Sequence, residues 1–396
     1  MATPIAKNAT VVAVMKEVTE GTYVAPGAAT DYVQVLEGIS SNPIKETIER
    51  SVLTSSIGKV QPRAGLESVE GSLPMELKAS GTEGGIPESG YVIESALGAT
   101  RAITTQTTTK SSGNTGSVLQ IQDADISKFN VYDIIVVLES GAHHCCYVSA
   151  VDSSAGTANI TVSPSKPSGS FSNSVVISKS RMYYTANASH PSLSISTYWA
   201  NEITQKAIGC KVASLALSNF SVGQIASWDA SFSGLSYDRI DGAAPHTPSF
   251  DTALPPIVVS NACVYQDGTA LKVNQFSFSV ENEVSFVKEI CAGQTGSRVV
   301  SRSVTGSFNP YMDDTAVTQF TKFDTNDDYV IFAFAANPSS TAGEYELGSV
   351  CGFVLPKCLT TELPTGDVDG LLTDDVSFTA SRGAAGTTEE VYIGFI

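Results

Sequence analysis

Charged residues are scarce in this chain, 16% of 396, where globular proteins carry about a quarter. Positive charge is scarcer still, with 23 Lys and Arg against 40 Asp and Glu and a formal net charge of −17. That balance argues against a basic nucleic-acid-binding face, because holding phosphates requires clustered cations. Only four histidines occur, and there is no G-x-S-x-G, phosphate loop or dinucleotide fingerprint. Neither an enzyme nor a cofactor is expected. No run approaches the ~20 apolar residues of a membrane helix. Met1 to Val18 lacks the basic start and apolar run of a signal peptide. The seven cysteines (Cys145, Cys146, Cys210, Cys263, Cys291, Cys351 and Cys358) are odd in number and show no disulfide framework. They read as small core residues of a protein made in a reducing cytoplasm, with no membrane partner.

What is present is apolar and turn-rich: 42% hydrophobic residues and 32 glycines, with Ser, Thr and Val prominent. This composition suits pleated sheets better than helices. Strands are expected over Val11 to Val18, around Ile44, Ile48 and Val52, and over Val69 to Leu77, with a long loop from Thr54 to Gly65. Pro87 and Glu88 open a helix carrying Tyr91, Val92, Ala96 and Leu97, which Gly98 closes. Thr104 to Gly116 reads as a Thr/Ser linker into closely spaced strands ending near Ser178 to Ser180. These form an inserted small β-barrel, expected to lie outside and to be dispensable. Alternation resumes at Ser192 to Tyr198, Cys210 to Leu217 and Trp228 to Phe232. A Pro-marked linker, Gly242 to Pro256, follows.

The plan is then written again. Ser68-Val69-Glu70-Gly71-Ser72-Leu73 returns as Ser303-Val304-Thr305-Gly306-Ser307-Phe308. Each copy follows an alternating strand and a polar loop (Gly293 to Gly296 in the second). Each precedes a short helix and more alternating strands. The second helix starts at Asp313 or Asp314 and carries Val317, Phe320 and Phe323 as its core face.

The chemical candidates are weak. His143-His144-Cys145-Cys146 cannot converge on one ion from a strand, because neighbouring side chains point to opposite faces. Cys351 and Cys358 match no zinc spacing and read as core thiols. Asp367-Val368-Asp369-Gly370 lacks the rest of a calcium loop and reads as a hairpin turn. Acid placement carries more. Glu70, Asp229, Glu281 and Asp375 fall opposite the inward residues of alternating strands, among Ser and Thr. They outline a polar face.

Lys16-Glu17-Val18-Thr19-Glu20-Gly21-Thr22-Tyr23-Val24-Ala25-Pro26 resembles the opening of tail tube (major tail) proteins from long-tailed bacteriophages. The Glu-rich segment through Arg50 and the pair Gly71-Ser72 continue that resemblance. So do His190-Pro191-Ser192-Leu193-Ser194-Ile195 and Gly209-Cys210-Lys211-Val212 with Leu215 and Leu217. Most of residues 10 to 240 is covered. The resemblance implies a β-sandwich with a flanking helix, six-fold rings joined through their sheets, and stacked rings forming a non-contractile (siphophage) tube for DNA ejection.

With two copies in one chain, the expectation is a mainly β fold of duplicated tail-tube β-sandwich units, each with a short helix, plus the inserted barrel. Residues 1–110 and 186–250 would form the first unit, 111–185 the insertion and 251–396 the second unit. Partners would be further copies of the chain in trimeric, pseudo-hexameric rings, the tape measure, terminator and tip proteins, and genomic DNA passing without specific binding. Glu70, Asp229, Glu281 and Asp375 are the candidates to face the lumen. The expected location is the virion tail, after assembly in the host cytoplasm. The alternatives are a terminator or minor tail protein, and a carbohydrate-binding surface β-sandwich. The last should expose clustered aromatics, whereas Trp199 and Trp228 both read as internal.

Overall fold

The structure is a computed structural model describing residues 10–53, 57–154, 158–187, 190–200, 202–250, 255–259, 262–313, 316–383 and 389–396. Alternation of apolar and polar residues makes nearly every element a strand. The chain opens with β1 (Thr10–Lys16), β2 (Tyr32–Val33) and the hairpin of β3 (Ser40–Ile48) and β4 (Arg63–Glu76). Helix α1 (Gly90–Leu97) follows. It ends at Gly98, whose left-handed φ of 103° favours glycine, and β5 (Gly98–Ile103) leads out.

Six short strands come next: β6 (Thr107–Thr108), β7 (Val118–Gln120), β8 (Ile134–Glu139), β9 (Ala142–Asp152), β10 (Asn159–Ser163) and β11 (Val176–Ile177). Then come β12 (Ser180–Thr185), β13 (Leu193–Trp199), β14 (Ile203–Ser218), β15 (Ser227–Gly234) and β16 (Ser236–Asp241). Beyond them lie β17 (Ala262–Gln266), β18 (Thr269–Leu271), and a long hairpin of β19 (Val273–Glu289) and β20 (Gly293–Pro310). Helix α2 (Ala316–Thr325), β21 (Tyr329–Pro338) and β22 (Tyr345–Glu362) follow. The chain closes with β23 (Thr365–Val368), β24 (Leu371–Asp374), β25 (Val376–Ala380) and β26 (Tyr392–Phe395).

One antiparallel sheet dominates, with strands edge to edge in the order β3-β4-β15-β14-β19-β20-β25-β22. β14 belongs to two layers. Its first half pairs with β13 and β16, its second with β15 and β19. β22 divides in the same way, pairing with β21 and β26 before it reaches β25. Between the layers lies the core, where Trp228, Phe232, Phe276, Phe278, Phe353 and Phe378 are buried. Trp228 meets Phe278 and Phe353 edge-on at 6.1 and 5.8 Å, a geometry the ring quadrupoles favour.

The inserted strands form a six-stranded sheet in the order β6-β11-β8-β9-β10-β7. Its two edges meet at Lys110, whose N–H donates to the Gln120 carbonyl at 2.7 Å and whose carbonyl accepts from Ser174 N–H at 3.0 Å. Ile135, Val137, Cys146 and Val148 face its own core. Their neighbours Ile134, Val136, Cys145 and Tyr147 point the other way and pack on Phe332, Phe334, Val350 and Val354 of β21 and β22. This body is therefore docked on β21 and β22 through a second apolar face. The expected linker Thr104 to Gly116 also contributes β6.

Other expectations need correction. Val317, Phe320 and Phe323 of α2 are 71%, 59% and 38% exposed, so they are not a core face. Gly293 to Gly296 is not a loop, because β20 already begins at Gly293. The loop from Thr54 to Gly65 is shorter than expected, since β4 starts at Arg63; Thr54 to Ser56 lie outside the described residues, as does the cap candidate Asp314. Cys263 and Cys291 are exposed, while the other five cysteines are buried. Trp199 is half-buried beneath the Arg239 guanidinium, 5.1 Å from the ring centroid. Asp369 and Gly370, at φ 52° and 81°, make the turn between β23 and β24, as the Asp-Gly pair requires.

Two predictions follow from this packing. A Cβ at Gly71 would lie 2.2 Å from the Ser40 carbonyl and 2.4 Å from the Phe232 ring; at Gly306 it would lie 2.5 Å from the Ser277 carbonyl and 2.4 Å from the Phe378 ring. Gly71→Val and Gly306→Val should each destabilise by about 1–3 kcal/mol through overpacking. Unshifted urea midpoints in both variants would refute the account.

His190 donates from Nδ1 to the Ser95 carbonyl at 2.9 Å, and burial lowers its pKa. Just below the unfolded value of about 6.5, the unfolded chain binds the extra proton, so stability should fall as pH drops through that window. In thermal melts between pH 7 and 5, His190→Gln should lose less stability than the wild type. His144, also lowered by burial, keeps part of the slope; equal slopes in the two proteins would exclude His190.

Candidate assembly surface

Directly paired residues in an antiparallel ladder share a face, so the register lays out the open side of the main sheet. One row runs Ser72, Ser231, Ser214, Glu281, Ser303. A second runs Asp229, Ala216, Ser279, Thr305, Thr379, and a third Ser277, Ser307, Ser377, Glu362. No lysine or arginine stands in these rows. Hydroxyls pair across strands: Ser214 with Ser231 at 2.6 Å, Ser40 with Ser72 at 2.8 Å and Ser277 with Ser307 at 2.9 Å. A shallow hollow of about 550 Å³ runs across this face between Ala216, Ser279, Thr305, Glu362 and Thr379.

Three of the four expected acids lie here, all exposed. Glu70 stands opposite Ser233. Asp229 accepts from Ser218 Oγ at 2.5 Å, and Glu281 from Ser279 Oγ at 2.9 Å. Asp375 is exposed too but sits one residue before β25. Its N–H donates to the Pro364 carbonyl at 2.8 Å and its carboxylate accepts from Thr373 Oγ1 at 3.2 Å. It belongs to the rim beside β23 and β24 rather than to the ladder rows.

The half-sheet β3-β4-β15-β14 meets β19-β20-β25-β22 along β14 and β19. Ser214, Leu215, Ala216 and Leu217 lie opposite Glu281, Val280, Ser279 and Phe278. Side chains fasten this joint. Asn282 donates from Nδ2 to the carbonyls of Ala96 at 2.8 Å and Val212 at 3.1 Å, tying β19 to the last turn of α1. Glu20 accepts from Ser297 N–H at 2.7 Å and Oγ at 2.6 Å, with Lys211 Nζ and Arg298 each 3.6 Å away. Burial lowers the Lys211 pKa, opposed by Glu20. Glu17 holds the same loop by accepting from Ser194 Oγ and Gly209 N–H, both at 2.8 Å. Asn282, Glu17 and Glu20 were not foreseen. Asn282 had a signal, since it continues the inward series Phe276, Phe278, Val280.

The two half-sheets match position by position. Gly71 lies opposite Phe232 and Ser40 bonds Ser72; Gly306 lies opposite Phe378 and Ser277 bonds Ser307. β14 is irregular between Val212 and Ser214, and β22 between Thr360 and Glu362. Cys210 stands opposite Leu193, and Cys358 opposite Tyr329. Lys16 bridges to Glu94 of α1 at 2.6 Å, while Asp267 bridges to Lys322 of α2 at 2.6 Å with the charges exchanged. On this match, the edge of β14 that receives β19 corresponds to the edge of β22 near Glu362. The edge of β19 that enters the joint corresponds to the outer edge of β3. Neither of these edges has a strand partner among the described residues.

Among the described residues no group of His, Cys, Asp and Glu could hold a metal ion. His143 and His144 have separate tasks: His143 Nδ1 accepts from Tyr345 N–H at 3.0 Å, and His144 Nε2 donates to the Pro164 carbonyl at 2.9 Å. No helix is long and apolar enough to cross a membrane among the described residues.

No curated protein matches the chain. A family model for the phage tail tube protein matches residues 7–380, which span both half-sheets and the inserted body. The chain belongs to the phage tail tube protein family, structural proteins of the virion tail.

Proposed function

We propose that this chain is the ring subunit of a non-contractile tail tube, and that three chains close one ring. The joint between β14 and β19 carries this reading, because it is a sheet-to-sheet contact already made inside the chain. The corresponding edges of β22 and β3 can repeat it between chains. In the same register, Glu362 of one chain falls opposite Ile44 of the next, as Ser214 falls opposite Glu281. Each chain supplies two half-sheets, so three chains give a three-fold ring of six-fold appearance. A heterologous contact repeated around an axis closes without leaving an exposed edge.

In this reading residues 1–110 with 186–250 and residues 251–396 are the two tube units, and 111–185 is an insertion on the outer wall. Rings form in the host cytoplasm, stack, and meet the tape measure, terminator and tip proteins. The polar face with Glu70, Asp229 and Glu281 lines the channel, and Asp375 stands at its rim. Its exposed groups are serine hydroxyls and carboxylates, and the one lysine in the Glu70 row, Lys211, is buried; such a face offers DNA phosphates no counterion-releasing site, so the duplex stays mobile.

Averaged cross-sections of purified tubes test the stoichiometry. Three protrusions of the inserted body are expected around the wall, and six equivalent ones would reject the three-chain ring. For the channel, Glu70→Lys/Asp229→Lys/Glu281→Lys should assemble but slow DNA ejection, most at low salt where screening is weakest. Ejection at the wild-type rate in low salt would place these carboxylates elsewhere.

A further inference from the structure

The two helices occupy matching places, yet one is covered and the other bare. Val92, Ile93, Ala96 and Leu97 of α1 are wholly buried. Strands β5 and β12 lie on one side of α1, and β19 crosses its last turn through Asn282. α2 is anchored by only part of that contact: Gln319 exchanges amide hydrogen bonds with Gln266 at 2.5 and 3.2 Å, and Lys322 reaches Asp267. Counted back from their left-handed caps, Gly98 and Asn326, Phe320 stands at the place of Val92, Phe323 at Ser95 and Asp324 at Ala96. Phe320 and Phe323 are therefore exposed where α1 faces the joint. A helix does not usually present two phenylalanines to water without a partner.

The opposite end of the main sheet carries a matching feature. In the register match, Ser40 corresponds to Ser277. On β3, Pro43 and Lys45 therefore stand at the places of the inward residues Val280 and Asn282, on the side that faces a helix, whereas Ile44 stands at the place of Glu281 on the open face. Lys45 is half-exposed, with Glu67 as its partner at 2.6 Å. The end of α2 holds Asp324, Asp327 and Asp328, acids placed where the helix dipole favours a cation.

We propose that the exposed face of α2 is the docking site for the β3 arm of a second copy, with Lys45 of that copy set against the last turn of α2. Phe320 and Phe323 pack beneath the arm, and the Lys45 ammonium takes the place Asn282 fills inside the chain, bonding the final carbonyls of the helix and the Asp324 carboxylate. This rests on the ring reading above and gives it a specificity element. The internal joint uses a neutral amide, whereas the joint between chains uses a charge pair. A β3 arm is thereby directed to α2 rather than to α1, whose last turn carries only Glu94, already paired with Lys16 at 2.6 Å.

The test is assembly of the full chain, read as the lowest concentration that gives rings in negative stain. Lys45→Glu and Asp324→Lys should each raise that concentration at least ten-fold, and Lys45→Glu/Asp324→Lys together should restore it to within a few-fold of wild type. These side chains are exposed, so melting temperatures should stay within a few degrees. In parallel, Phe320→Asp/Phe323→Asp should leave a folded monomer that no longer closes rings. Rings of that variant at the wild-type concentration, or failure of the charge exchange to rescue, overturn the docking site while leaving the ring reading intact. If the wild-type chain forms no rings at any concentration, the ring reading itself falls and the docking site with it.

Discussion

A strand edge is a row of backbone donors and acceptors, and here the arrangement of the whole chain turns on where those rows end. β14 is long enough to carry two layers, and by exchanging β13 for β15 and β19 partway along it gives the second hairpin an edge to join. Leaving a buried polar group unpaired costs about 1–3 kcal/mol, so a joint of several ladder positions is strongly specified. Its register is fixed on both faces. Leu215, Leu217, Phe278 and Val280 must point to the core while Ser214, Ala216, Ser279 and Glu281 point away, and a slip of one residue would invert all of them.

The inner packing repeats one local device. A glycine in the middle of each half-sheet, Gly71 or Gly306, leaves room for a phenylalanine from the neighbouring strand to lie across its backbone. Glycine in a strand weakens it, and a cross-strand aromatic ring offsets that loss by covering the bare backbone. On the other side of each hairpin a serine pair closes the ladder. The two sites share the same glycine, phenylalanine and serine pair in the same register.

Electrostatics distinguishes what packing repeats. The tie from helix to outer strand is Lys16 to Glu94 in one place and Lys322 to Asp267 in the other. An ion pair of this kind, partly exposed, adds little stability in either orientation, but the reversal makes the two helix environments different. The joint itself is held by Glu20, shared between Ser297, Lys211 and Arg298. The inserted body adds rigidity by another route, since alternate residues of β8 and β9 serve its own core and the apolar face of β21 and β22. The pair Cys145 and Cys146 divides between those two cores because neighbouring strand residues point opposite ways.

Legible in the sequence alone were the mainly β class, the alternation of β4, β15 and β25, helix α1 with its glycine stop, the Asp-Gly turn, and the outward placement of Glu70, Asp229 and Glu281. These are legible because period-two patterns and turn residues act over a few positions. Glycine and aromatic residues could be read as strand residues, but not that Gly71 sits under Phe232, a contact 161 positions away in a register no local pattern specifies. α2 was misjudged for the same reason. Apolar spacing marks a face but not what covers it. Long-range packing set the rest: the two half-sheets join through β14 and β19, Asn282 and Glu20 hold that joint, and the inserted body docks through one face while the other encloses its own core. Each depends on strand edges brought together from distant parts of the chain, and backbone hydrogen bonding along an edge is nearly blind to which side chains it joins.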